Sequence, residues 1–381
     1  MFENTIKKIK SCLPKKREYQ VHEPKFDLKA LHDTKKCIQS SMVSSNGKYL
    51  DMFGCEINKI TEAKKILLTN SGTSALFLSL KLIDVKDTEV LVPSMTFAAT
   101  VNSILYNDGI PHFIDCSDSS PNIDLNILED YLKNNTYTKI NKLFNKKTNK
   151  MIKCLIIVHA YGEPVNMAKV KQISKNYNIE VIEDAAGALG SFYKSRHVGT
   201  TSRAAIISFN GNKIVTTGMG GAILLKNTSD YKKIKHIMST SRIKHPWKVE
   251  HDSIGYNMRM ANINAALGLS QLKNLKVILQ KKRRLFLKYK NILKDDKYCH
   301  INTFSKESNP NHWVVNITLK DKFIQHQQRF FQELHSNNIY AREVWKPQHL
   351  SRHLQKYPRS NLQNTIKIWK SSISLPSSDY L

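Results

Sequence analysis

Ala204-Ala205-Ile206-Ile207-Ser208-Phe209-Asn210-Gly211-Asn212-Lys213, with its sequel Thr217-Gly218-Met219-Gly220-Gly221, is the stretch whose reading decides the fold. The apolar run delivers the chain to Ser208 and reads as a short buried strand. It stops at polar, turn-forming residues, and a single lysine follows. A solvated surface lysine is the plain alternative, because isolated charged side chains usually face water. The functional alternative is a Schiff-base lysine, whose amine becomes useful when burial and neighbouring charges lower its pKa.

A second stretch weighs between them. Val181-Ile182-Glu183-Asp184-Ala185-Ala186 is another buried-strand pattern, ending in two carboxylates and then small residues. Asp184 stands 29 residues before Lys213. Two strands and one connection suffice to bring both side chains to one edge of a sheet. Alone, Asp184 reads as a helix cap or a structural ion pair. Together with Lys213 it matches what pyridoxal phosphate requires: an amine for the aldehyde and an acid for the pyridine nitrogen.

Upstream, Ile66-Leu67-Leu68 reads as a strand that breaks at Asn70-Ser71-Gly72-Thr73-Ser74, and an apolar helix over 75–82 follows. A helix start of this kind aims free N–H groups and a positive dipole end at an anion, although Ser71 or Thr73 would equally make an ordinary cap. Glu89-Val90-Leu91-Val92 is the next strand, and Phe97 follows where strand hands over to helix. Ligands collect at that edge of an α/β sheet, while an aromatic there also serves as core filling. Strand and helix patterns alternate from about 65 to 225. They predict a mostly parallel sheet with helices on both faces.

The segments NSGTSAL, VPSMTFAATVNSI, VHAYG, VIEDAAGALGS, SFNGNKIVTTGMGG, HDSIGYNMRMANINAALG and SLPSS occur in that order. In them the chain resembles the DegT/StrS-type sugar aminotransferases, fold-type I enzymes dependent on pyridoxal 5'-phosphate. The resemblance runs from about residue 20 to the end. It implies a large α/β cofactor domain with a smaller α+β domain. It implies Lys213 and Asp184 as catalytic residues, and Gly72, Thr73 and Ser208 on the cofactor phosphate. Phe97 would stack on the pyridine ring, and Asn257 would reach the phosphate of a neighbouring subunit, so the unit is a homodimer with shared sites. Arg259 is implied nearby for phosphate or substrate. The implied reaction moves an amino group from glutamate to a nucleotide-linked 4-keto-6-deoxy sugar. The SFNGNK form resembles the branch making 4-amino-4,6-dideoxy-N-acetylhexosamine nucleotides of the bacillosamine and legionaminic type. Gly187 departs from the family, where a glutamine there bonds the cofactor's phenolic oxygen. Met219 interrupts a glycine run usually unbroken in that branch, and Asn210 replaces a histidine of other branches.

Composition sets the outer bounds. The 381 residues, 41% of them hydrophobic, suffice for one large domain and a smaller companion. No apolar run reaches transmembrane length. Lys7, Lys8, Lys10, Lys15 and Lys16 interrupt any secretory pattern, so a cytoplasmic location is expected. Six cysteines without a CxxC pair give no metal spacing. The net charge of +28 attracts polyanions. The lysines are scattered and no aromatic-basic module appears, which argues against nucleic acid as the main partner and leaves an anionic sugar nucleotide.

The expected organisation is an N-terminal arm and helices over 1–61, a cofactor domain over 62–245 and a small domain over 246–381. Residues 1–27 read as a basic surface arm without periodicity. Residues 136–150, with five lysines and no acid, read as a solvated loop. After 257 a long amphipathic helix is expected, with Leu272, Leu275 and Leu279 as its apolar stripe and Lys281-Lys282-Arg283-Arg284 as its wet end. Trp313, Tyr340, Trp345 and Lys346 are candidates for a lid or a base-stacking surface, with core packing as the alternative. Two rival functions stand beside the aminotransferase. A sugar dehydratase of the same fold would carry histidine in place of Lys213, and a non-catalytic binding protein need not hold the cofactor at all.

Overall fold

The computed structural model describes residues 1–15 and 18–381, so Lys16 of the basic run lies outside the described residues. The main sheet runs from edge to edge through Lys65–Thr69, Gly221–Leu225, Ala204–Ser208, Glu180–Asp184, Met151–Val158, Glu89–Pro93 and Ile110–Ile114. Pairing is parallel from Ala204–Ser208 through to Ile110–Ile114. Gly221–Leu225 runs against both of its neighbours. The expected mostly parallel sheet is therefore present.

Strand alternation explains how both faces are covered. Ala204 and Ile206 pack with Ala75, Leu76 and Leu78 of the helix Gly72–Ile83. Ala205 and Ile207 pack on the other face, with Phe53 of the helix Lys48–Thr61 and Leu269 of the helix Asn262–Lys273. The register pairs Ile206 with Asp184, and Asp184 with Val158. The carboxyl ends of three neighbouring strands thus share one edge, and the site is built there.

A second, antiparallel sheet orders Cys299–His300, Val315–Leu319, Ser372–Leu375 and Arg342–Glu343. Val315–Leu319 is the inner strand beside Ser372–Leu375, and a 3-10 segment, Asp321–His326, leads from it into the helix Gln327–Ser336.

Three local expectations are corrected. The surface arm begins instead with a helix, Glu3–Ser11, whose Ile6 and Ile9 are buried, as is Phe2 just before it. Those residues recur at helical spacing and enter the core of the second sheet, where Phe2 stacks on Phe330 at 4.3 Å. Each such burial is worth roughly 2 kcal/mol, enough to hold a short helix that would not persist alone. The first 61 residues are thereby divided between two cores, since Phe53 and Ile57 belong to that of the main sheet.

The stretch 136–150 is a hairpin, Thr136–Lys139 and Lys142–Asn145, with Ile140 and Asn141 at positive φ in its turn. Buried Glu89 secures it. Its carboxylate accepts from Asn145 Nδ2 at 3.0 Å and from the Thr148 hydroxyl, and pairs with His112 Nδ1 at 2.7 Å. The long helix breaks at Asn274 into Asn262–Lys273 and Leu275–Ile292. Within its supposed wet end Lys282 is buried, donates to the Ser377 carbonyl, and is pushed down by that burial to a pKa of about 7.

Candidate active site

At the shared strand edge lies a cavity of about 260 Å³. Its lining includes Gly72, Thr73, Phe97, Asp184, Ser208, Lys213 and Trp345, which the sequence places up to 273 residues apart. Asn257, Arg259 and Lys346 are not in that lining. Asn257 is exposed and bridges to Ser239, while Arg259 bridges to Thr69 and lines a separate groove beside the helix Lys48–Thr61. Lys346 is exposed, and Tyr340 pairs with Gln20 in a two-residue ladder.

The two acids at the end of Glu180–Asp184 point to opposite faces, as successive strand residues must. Glu183 accepts from Gly199 N, Thr201 and Ser202, and from His159 Nε2 at 3.1 Å. The Val165 amide donates to His159 Nδ1, so the ring proton sits on Nε2 and goes to Glu183. Burial raises the Glu183 pKa, but His159 and the donors around it outweigh this and hold it at about 2. Glu183 is a structural anchor.

Asp184 is differently placed. One carboxylate oxygen accepts from Thr100 Oγ1 at 2.8 Å and the other from the Ala186 amide at 3.1 Å. Among the described residues no cation lies within ion-pair distance of it, and burial raises its pKa. A buried carboxylate that faces a cavity with no cation in direct contact is incomplete on its own. It fits the protonated ring nitrogen of pyridoxal phosphate. Thr100, held in turn by Thr96 Oγ1 at 2.8 Å, is a site residue the sequence reading missed, since nothing in VPSMTFAAT distinguishes it from a helix surface threonine.

The phosphate end fits as well. Ser71 caps Gly72–Ile83 by accepting from the Ser74 amide, and this leaves the first-turn amides of Gly72 and Thr73 for an outside acceptor. A Cβ on Gly72 would stand 2.9 Å from Ser208 Cβ, so glycine is what lets helix start and strand end approach. Phe97 is 61% exposed at the same cavity, which sets it apart from core filling. Met219 is 62% exposed and lines the cavity. Its neighbours Gly220 and Gly221 have no room for a side chain, against Thr217 and Ser71 respectively, whereas position 219 opens outward and accepts one.

Lys213 ends a turn closed by its own amide donating to the Asn210 carbonyl at 2.9 Å. Burial lowers its amine to a pKa of about 8, and Asp184 partly opposes that shift. At pH near 8 a large share of the amine is therefore the free base. Tyr161 lies below the cavity wall, stacked on Trp345 at 4.3 Å, and its hydroxyl accepts the Trp345 amide at 2.7 Å.

A carboxylate awaiting a cation, a helix start awaiting an anion and a lysine with a depressed pKa thus share one cavity. Comparison with known proteins shows the family. The model of the DegT/DnrJ/EryC1/StrS aminotransferase family matches residues 25–381. GDP-perosamine synthase of Escherichia coli O157:H7 is 29% identical, with 94% of this chain and 92% of that protein covered. UDP-4-amino-4,6-dideoxy-N-acetyl-beta-L-altrosamine transaminase of Campylobacter jejuni is also 29% identical, over 88% of this chain and 86% of that protein. Among solved structures, Helicobacter pylori PseC, an aminotransferase of pseudoaminic acid biosynthesis, superposes with a TM-score of 0.85 at 26% identity, covering 94% of both chains. With its fold-type I sheet and this lysine–aspartate site, the chain belongs to the DegT/DnrJ/EryC1/StrS aminotransferase family.

Proposed function

We propose that this aminotransferase moves an amino group from glutamate to the C4 carbonyl of a nucleotide-linked 4-keto-6-deoxy sugar, in the synthesis of a surface glycan. The observation that carries the reading is that Lys213 shares one cavity with a buried Asp184 that no described cation meets at ion-pair distance. Its relatives named for GDP-perosamine and for a UDP-linked amino-dideoxy sugar support the substrate class. The SFNGNK motif favours the N-acetylated branch.

Pyridoxal phosphate, when bound, supplies an aldehyde that takes up amines and a protonated ring that withdraws the electron pair left when a proton departs. The remaining work falls to the chain. Asp184 holds the proton on the ring nitrogen. Gly72, Thr73 and Ser208 hold the phosphate, and Phe97 covers one face of the ring. Lys213 Nζ takes the proton from the carbon that bears the migrating nitrogen in the donor. In the second half of the cycle it returns a proton to the sugar carbon. With a pKa of about 8, this amine suits a proton carrier near neutral pH.

Asn257 has no place in the cavity of its own chain, and the homodimer reading gives it one: the phosphate site of a neighbouring subunit. Exposed Leu28, Leu31 and Ile38 on the helix Leu28–Gln39 support self-association. A two-fold pair would lend each loop to the other subunit's site. Arg259 in this reading serves phosphate or substrate across the same interface. A cytoplasmic location accompanies it, and no helix among the described residues is long and apolar enough to cross a membrane.

The test is a panel of UDP-, GDP- and dTDP-linked 4-keto-6-deoxy sugars incubated with the enzyme and glutamate, with products identified by mass and NMR. A 4-amino sugar and 2-oxoglutarate in equal amounts are expected from at least one. Glutamate turnover with a simple keto acid but with no sugar in the panel would defeat the substrate assignment.

A further inference from the structure

Gly187, the residue that departs from the family pattern, lies directly under an indole ring. A Cβ built on it would stand 2.4 Å from Cε3 and 2.7 Å from Cζ3 of Trp313, far inside any real contact. The ring is therefore seated in the space that a side chain at 187 would need. Its seating is fixed at several points. Asn311 joins the two residues, donating from Nδ2 to the Gly187 carbonyl at 2.9 Å while its Oδ1 accepts the Trp313 amide at 2.9 Å. The indole N–H donates to the carbonyl of Asn212, the residue before the lysine, at 2.8 Å. The face of the ring then lies 3.7 Å from Lys213 Nζ. Trp313 is buried and lines the cavity.

From this geometry we infer that Trp313, admitted by the bare backbone at Gly187, is the positioning residue for the Lys213 nitrogen. It holds that nitrogen against an aromatic face and stabilises its protonated form. The inference rests on the cofactor reading above. A family member with a hydrogen-bonding side chain at 187 would have a polar group at that edge. This chain instead has a dry, electron-rich surface. An aromatic face attracts a cation, more strongly where water is excluded. It thus opposes the desolvation that lowers the amine's pKa. Two other ionisable groups lie near Lys213. Asp184 favours the charged amine, and His22, on the N-terminal segment, is held neutral by burial and by the charges of Lys282 and Lys213. Neither is hydrogen-bonded to the Trp313 ring, whose N–H goes to Asn212, so exchanging the ring leaves both in place.

The test uses the holoenzyme and reads the proton on the Lys213 nitrogen from the pH titration of the visible absorbance band. Trp313→Leu keeps the wall apolar, though smaller, and removes the aromatic face. Its midpoint should fall by about one pH unit. Trp313→Phe, which keeps a ring, should stay within a few tenths of wild type. Gly187→Ala pushes the indole off its seat and should move the midpoint in the same direction as Trp313→Leu. A Trp313→Leu midpoint that is unchanged or higher overturns the inference. Should Trp313→Leu not fold, an unmoved midpoint in Gly187→Ala overturns it and a lowered one upholds it. Absence of the band from wild type would remove the cofactor reading and this inference together. A normal band with an unmoved midpoint removes the inference alone.

Discussion

Lys213→Ala should lower turnover by about 10³-fold or more, because in the proposed mechanism the same amine takes up the cofactor and carries the proton. No described neighbour can replace it. The cavity's other ionisable side chains are Asp184, whose buried carboxylate is needed for charge, and His159, whose Nε2 is engaged with Glu183. The variant should fold, since alanine removes a side chain that faces a cavity. The loss also gives access to the assembly. When Lys213→Ala subunits are mixed with Asn257→Ala subunits, each mixed dimer would contain one site with both lesions and one with neither. Partial return of activity is expected. Subunits that exchange without any recovery would mean that the site is completed within one chain.

Asp184→Asn should leave the fold and cofactor uptake nearly intact while lowering kcat by about 10²–10³-fold. Asparagine matches the shape of aspartate and can still accept one hydrogen bond, from Thr100 or from Ala186. What it cannot supply is the negative charge. Without that charge the ring nitrogen of the cofactor loses its proton, and the electron withdrawal that lets the substrate carbon release its proton is weakened. The loss should appear in kcat with little change in the KM for glutamate, as expected for an interaction that matters mainly in the transition state. A variant with a near-normal kcat would make Asp184 a structural acid like Glu183.

The site was legible where function imposes a local pattern. A strand ending in Asp184, a strand ending at Ser208 before a lysine, and a strand breaking at Gly72 each announce themselves within about ten residues. All three run to the same sheet edge. Long-range dependence hid the rest. The helix Glu3–Ser11 has its apolar spacing in Phe2, Ile6 and Ile9, but the lysines between them mask it, and the partner Phe330 lies far along the chain. The hairpin over 136–145 is held by Glu89 from another strand, so its own lysine-rich composition reads as loop. Lys282 reads as solvated because its run is basic, whereas the Ser377 carbonyl that meets it is 95 residues away. Gly187 could be seen to be unusual, but only the structure supplies the reason, which is the ring of Trp313 above it.

The most direct measurement of the central claim is borohydride reduction of the holoenzyme followed by proteolysis and tandem mass spectrometry. The account predicts that the mass of the reduced cofactor is fixed to the side chain of Lys213, with no other lysine labelled in stoichiometric amount. The reduced protein should also be inactive. Label on another lysine, or a fully active protein carrying none, would contradict it.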